Sequence, residues 1–257
     1  MCYDVAYMTK NKANYAKRFG ATVEEVASLE QSIEVNKAAF SPTYHTNGFA
    51  HHQLPVITHD APYEMQAFEW GLIPFWVKDA PAATKLANMC LNARGESIFE
   101  KPSFRNAAKQ QRCLIIIDGG FEHHHQDGKT YPFHFKLKDE EPFALAGLWE
   151  SWEHQGIIKH SCSIVTTAGN ELMAKIHNNP KTSGPRMPVI LPKELERDWL
   201  NPIHDKADIA LIQELIQPYD ESEMIAYPVA KLRGKGAVGN TEEALKAHNY
   251  DQLKLSF

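Results

Sequence analysis

The sequence predicts an α+β fold with a mostly antiparallel sheet. Strand-like runs crowd the middle of the chain, from about residue 53 to 167, while helical spacings lie mainly toward its ends. The two do not alternate as the units of a parallel sheet would. With 257 residues, 43% of them hydrophobic, and no repeat, low-complexity tract or Pro/Ser/Gly linker, one compact domain over 1–257 is expected.

Each element has its own local reason. Thr22 and Glu25 have capping-box spacing and Val26, Leu29 and Ile33 follow at helical intervals, which predicts a helix over 22–37. A His-, Asn- and Gly-rich loop follows at 44–52, then a short strand at 53–58. The aromatic-bearing segment 67–76 reads as a strand. A helix is expected at 102–110, with Pro102 near its N-terminus. The run Arg112-Cys113-Leu114-Ile115-Ile116-Ile117 has the apolar character of a buried strand. Residues 131–137 alternate, with Phe133, Phe135 and Leu137 on one face, and Asp127-Gly128-Lys129-Thr130 before them is a hairpin turn. Strands at 143–152 and 157–167 complete the group. Helices are expected at 170–177, 193–200, about 205–217 and after Thr241.

Bulk properties narrow the function. No apolar stretch approaches the roughly 20 residues of a membrane span, and the N-terminus lacks the apolar core of a signal peptide, so a cytoplasmic protein is the default. Cys2, Cys90, Cys113 and Cys162 show no CxxC pairing and read as thiols. A formal charge of −5 argues against coating nucleic acid through charge alone. A DNA-directed function would need a local basic groove or a covalent bond.

Four places hold residues suited to chemistry. Cys2 directly follows the initiator methionine. Removal of Met1 leaves an α-amine and a thiol on adjacent carbons, both partly nucleophilic near neutral pH, and an aldehyde meeting them forms a Schiff base and then a five-membered thiazolidine. The alternative is that Cys2 only packs in the core. In Asn92-Ala93-Arg94-Gly95-Glu96, Arg94 suits a phosphate and Asn92 suits orienting a polar group, or both are ordinary turn residues. Asp118-Gly119-Gly120-Phe121-Glu122 follows the buried run. Glu122 is there either a partly desolvated carboxylate suited to proton transfer or a solvated residue after a glycine bulge. His177 suits general acid/base work, or caps a helix. His123, His124 and His125 cannot all reach one ion, because successive strand residues face opposite ways. Without GxGxxG, GxxxxGK[ST], HExxH or GxSxG, neither cofactor nor metal is expected.

The order of these clusters is itself informative. Met1-Cys2 is followed by Trp70-Gly71-Leu72-Ile73-Pro74-Phe75-Trp76, the Asn92 and Pro102-Ser103-Phe104-Arg105 segments, Arg112-Cys113-Leu114 and the Asp118 segment. Ala146-Gly147-Leu148-Trp149-Glu150, Ile164-Val165-Thr166-Thr167-Ala168, Ile176-His177 and Arg186-Met187-Pro188-Val189-Ile190-Leu191 come next. This series resembles the SOS-response-associated peptidase (SRAP) family, whose best-studied members process abasic sites. The match runs to about residue 191 and weakens into a tail holding Tyr227-Pro228-Val229 and Val238-Gly239-Asn240.

The resemblance implies a barrel-like core with peripheral helices. It implies a monomer acting on abasic sites in single-stranded DNA, in the cytoplasm and at the nucleoid, through cross-linking by Cys2, self-removal of the residue before it and lyase-like chemistry. Asn92 would position the reacting groups, Glu122 would shuttle protons, and His177 would be the second acid/base group. Arg94, Arg186 and Arg105 would contact DNA, and Trp70 or Trp76 would shape the pocket or stack. The chain departs from the family pattern at Asp4, where a phosphate-binding arginine is expected, at His123, where an aromatic is usual, and in an insertion over 178–185 that must fold out for Arg186 to reach the site. Three rivals remain: an N-terminal-cysteine amidohydrolase, a non-catalytic single-strand-binding module, and a peptidase acting in trans.

Overall fold

The computed structural model describes residues 2–181 and 183–255. Within them the order is β1 (Asp4–Tyr7), α1 (Lys12–Phe19), α2 (Val23–Val35), β2 (Thr43–Asn47), β3 (Gln53–Thr58), β4 (Gln66–Trp70), α3 (Ala80–Met89), β5 (Asn92–Arg94), α4 (Arg105–Gln110) and β6 (Arg112–Ile117). Then come β7 (Gly119–Gln126), β8 (Lys129–Leu137), β9 (Phe143–His154), β10 (Ile157–Ala168), α5 (Glu171–Ile176), β11 (Arg186–Pro188), α6 (Glu196–Leu200), α7 (Lys206–Glu214) and β12 (Met224–Pro228).

The α+β class is as expected, and the sheet does close. Strands β4, β3, β6 and β9 pair antiparallel in that order; β10 then pairs antiparallel with β9 and parallel with β4, completing a five-strand barrel. Closure removes the edges that an open sheet would have to protect. Beyond its β4 pairing, β10 carries β5 in parallel and β11 antiparallel. A second, antiparallel sheet runs β12-β8-β7-β1-β2 and places β1 in its interior. One apolar core joins the two sheets, including Ile115, Leu145 and Val165 from the barrel and Val5, Phe133 and Phe135 from the second sheet.

Local signals explain much of this. The Thr22–Glu25 capping box is formed reciprocally and starts α2. The β7–β8 hairpin turns through Asp127 (φ 52°) and Gly128 (φ 72°), both left-handed, which matches the twist of the flanking strands. Every residue of β6 is buried. Its one charge, Arg112, donates to the carbonyls of Trp199 (2.8 Å), Ala108 (2.6 Å) and Asn201, and burial pushes the guanidinium down to about 10.

Several expected boundaries move. The strand expected over 67–76 stops at Trp70, because Gly71 turns at φ 121° and its α-carbon lies against the Ala87 carbonyl, 2.7 Å from where a Cβ would sit. The first residues of the loop expected at 44–52 belong to β2, recruited by pairing with β1, and a 3-10 turn at Gly48–Ala50 follows. Pro102 precedes α4, which begins only at Arg105. A 3-10 turn opens the helix expected at 193–200, α7 ends at Glu214, and the helix expected after Thr241 is a single 3-10 turn at Glu242–Leu245. No described helix is long and apolar enough to cross a membrane.

Candidate active site around Cys2

Strand β1 lies between β2 and β7 and delivers the start of the chain to the junction of the two sheets. Cys2 is fully buried there, with its thiol directed at the Asp4 carbonyl (3.7 Å). The Cys2 carbonyl accepts from Asn92 Nδ2 (2.9 Å), at the first residue of β5. Met1, whose removal is expected, lies outside the described residues.

Glu122 comes from the middle of β7. Its Oε2 lies 2.7 Å from Nδ1 of His177, the residue that ends α5, and both side chains are buried. Strand β7 is regular rather than bulged, and two close approaches account for its glycines. A Cβ on Gly119 would sit 2.2 Å from His134 Nε2, and one on Gly120 would sit 2.3 Å from the Phe135 ring. These β8 side chains occupy the space that the glycines leave, and so fix β7 and with it Glu122.

Two buried acceptors at this junction, Asn92 Oδ1 and Glu122 Oε1, have no hydrogen-bond partner among the described residues. Buried orphans are uncommon and costly, by about 1–3 kcal/mol each, so the site holds acceptor capacity that the folded chain leaves unused. Burial, and after it the Glu122 carboxylate, pushes the Cys2 thiol well above its ordinary value. Burial and Glu122 also raise Tyr3. The arrangement holds a protonated thiol beside a carboxylate–imidazole pair, with an amide fixing the backbone between them.

Tyr3, Glu122, His123, His177 and Arg233 line a cleft of about 310 Å³. Among the described residues β1 pairs with β7 only as far as Phe121, and the β7 edge beyond it has no strand neighbour on that side. Asn178 caps part of this edge, its side-chain amide exchanging bonds with the His125 N–H (2.6 Å) and carbonyl (2.9 Å). The expected insertion over 178–185 is thus anchored on β7 at one end and, through the Pro185 carbonyl and the Gly169 N–H (3.0 Å), on β10's end at the other. Thr182 within it lies outside the described residues.

Cys2, Asn92, Glu122 and His177 therefore come together. Arg94 is exposed two residues after Asn92 and projects from the same side of β5. Arg186 differs from expectation: its guanidinium is committed to both carboxylate oxygens of Glu96 and to the Thr166 carbonyl (2.8 Å). Trp70 cannot stack on a base, because it is fully buried with its indole N–H on the Leu91 carbonyl (2.9 Å). It instead supports the residue preceding Asn92. Trp76 and Arg105 are exposed, and no described contact ties either to Cys2.

Asp4 stands where a phosphate-binding arginine was expected, and its surroundings offset its charge. Both of its oxygens accept from Arg233 Nη2, with His45 Nε2 (2.9 Å) and Asn47 Nδ2 (3.2 Å) also on Oδ1. Burial alone would raise the carboxyl; hydrogen bonds and charge from His45 and Arg233 outweigh it and hold Asp4 below its ordinary value. Sequence reasoning missed Arg233, 229 residues from Asp4, and the Tyr3–Phe49 ring stack (5.5 Å) beside Cys2, whose Phe49 is 54% exposed. Exposed aromatics beside a nucleophile would have been a usable signal for Phe49; no local pattern marks Arg233.

The family model described as SOS response associated peptidase (SRAP) matches residues 1–235. The abasic site processing protein YoaM of Bacillus subtilis is 38% identical over 216 residues, covering 83% of this chain and 88% of YoaM. The abasic site processing protein YoqW of the same organism is 40% identical over 197 residues, covering 76% and 82%. A crystal structure of a protein from Bacteroides thetaiotaomicron superposes with a TM-score of 0.82 at 33% identity, over 96% of this chain and 100% of that one.

Proposed function

The chain belongs to the SOS response associated peptidase (SRAP) family, and from that premise we propose that it processes abasic sites in single-stranded DNA, capturing the lesion covalently through Cys2. The observation that carries this reading is the convergence of Cys2, Asn92 and the Glu122–His177 pair on one buried point, with two orphan acceptors. The names of YoaM and YoqW give the substrate class.

The chemistry follows from the groups present. After Met1 is removed, the Cys2 amine attacks C1′ of the ring-opened abasic sugar. The resulting carbinolamine loses water to give an imine. The thiol then adds across the C=N bond, its proton passing to nitrogen, and the thiazolidine ring closes. One water leaves overall and nothing is oxidised or reduced. Glu122 takes the proton that the nitrogen sheds once the amine has added to the aldehyde and returns it to the departing hydroxyl, while His177 holds the carboxylate and serves as its proton partner. Asn92 keeps the Cys2 backbone still, so that amine and thiol face one carbon. Removal of Met1 by the protein itself would use the same thiol: Cys2 Sγ adds to the Met1 carbonyl, the peptide C–N bond breaks as the thioester forms and the amine is freed, and water then hydrolyses the thioester to release Met1 and restore the thiol.

The test is a denaturing gel of the purified protein with single-stranded DNA carrying one abasic site. A shift that needs the lesion and vanishes in Cys2→Ala supports the proposal. Unshifted DNA, with loss of Met1 verified by intact mass, contradicts it.

A further inference from the structure

The structure assigns the segment Lys231-Leu232-Arg233-Gly234-Lys235-Gly236 as a phosphate-binding arm that holds the DNA backbone beside the Cys2 cleft, with Arg233 as its principal contact. The assignment rests on the abasic-site reading above and extends it to residues the motifs do not include.

Three observations carry it. The chain has a formal charge of −5, yet this stretch places three cations within five residues, and the middle one, Arg233, lines the cleft. Arg233 is also held in a defined pose. All its described contacts run through Nη2 to the Asp4 carboxylate, whose own side chain is only 3% exposed. Its Nε and Nη1 meet no acceptor among the described residues on a side chain 51% exposed, and a guanidinium so fixed loses little further freedom when it meets a phosphate. Finally, the arm is anchored. Leu232 is buried with Ala6, Phe121 and Val229, and Val238 N–H donates to the Lys231 carbonyl (3.0 Å). Gly234 (φ 76°) and Gly236 (φ 82°) allow the reversal that keeps Lys231 and Lys235 together, with Lys231 Nζ on the Lys235 carbonyl (3.0 Å).

The geometry sets the role. Asp4 faces Phe121 across the β1–β7 ladder, and Phe121 and Glu122 point to opposite faces of β7. Arg233 therefore approaches from the face opposite Glu122 and meets it only where the β7 edge is open. That position suits gripping the strand next to the lesion, not proton transfer at the aldehyde.

Binding is measured by fluorescence anisotropy, using a labelled single strand with a central tetrahydrofuran residue, which lacks the aldehyde and cannot cross-link. NaCl is varied. Arg233→Gln is expected to weaken Kd about tenfold and to lower the slope of log Kd against log[NaCl] by about 0.7, one phosphate contact on a single strand. Arg233→Lys recovers the slope. Loss of Arg233 strips a buried carboxylate of its cation and threatens the fold, so the double variant Lys231→Gln/Lys235→Gln repeats the test without touching Asp4. It is expected to lower the slope as well. An unchanged slope in that double variant, or in a folded Arg233→Gln protein, overturns the assignment. If wild type traps an abasic strand while these variants bind as it does, the arm is wrong and the abasic-site reading stands; if wild type traps nothing, the reading itself fails.

Discussion

At Cys2 two demands conflict. A thiolate is the better nucleophile, yet burial and the neighbouring Glu122 carboxylate keep this thiol protonated near neutral pH. For an aldehyde the conflict disappears if the amine attacks first and the thiol gives up its proton only on adding to the imine. The proposed mechanism then predicts separate losses. Cys2→Ser retains the amine and forms an imine without a stable ring, so its cross-link should survive denaturation only after borohydride reduction. Survival without reductant would contradict ring closure by sulfur. Glu122→Gln should slow single-turnover trapping about 100-fold, within the usual range for a positioned acid/base group. A rate equal to wild type would remove Glu122 from the mechanism.

Among the elements, β7 decides the site because it carries Glu122, pairs with β1 and leaves the open edge. Its glycines are packing residues. Gly119→Ala drives a methyl into the His134 ring and should cost about 1–3 kcal/mol, read as a lower urea midpoint at constant m-value. An unchanged midpoint would mean that β8 yields easily. The four residues that meet at the site and the strands β3, β6, β8, β9 and β10 were legible because each carries a local pattern or a motif position. Strands β1 and β2 were not, since their pairing across the sheet, rather than periodicity, makes them strands. Trp70 was read as shaping the pocket or stacking, and its spacing could not report the burial that rules out stacking. Arg186 was read as a phosphate ligand because its Glu96 partner lies 90 residues away. The Asp4–Arg233 contact joins the two ends of the chain and has no sequence signature.

Over the whole molecule, buried titrating groups narrow the pH range of stability from both sides. Burial pushes the Cys90 thiol up to about 11 and also raises Cys2, Cys113 and Cys162. A raised thiol stays protonated in the folded state while the unfolded chain ionises near its ordinary value of about 8.5. The unfolded state then binds fewer protons, and stability falls as pH rises above that value. Burial pushes His134 down to about 3, so the folded state stays neutral where the unfolded chain takes a proton, and stability falls as pH drops from about 6.5 toward 3. Asp4, held low, adds a loss as pH falls through its folded value. Urea unfolding across pH should give a plateau near neutrality with both flanks falling. A flat acid flank would mean that His134 protonates without unfolding.

Covalent capture as proposed requires that Cys2, freed of Met1, be the residue joined to the lesion. Its most direct test is mass spectrometry of the trapped complex after nuclease and protease digestion. The expected product is an N-terminal peptide beginning at Cys2 and carrying the deoxyribose remnant minus one water, with fragment ions placing the adduct on that residue. An adduct on a lysine, or on a peptide that retains Met1, would contradict it.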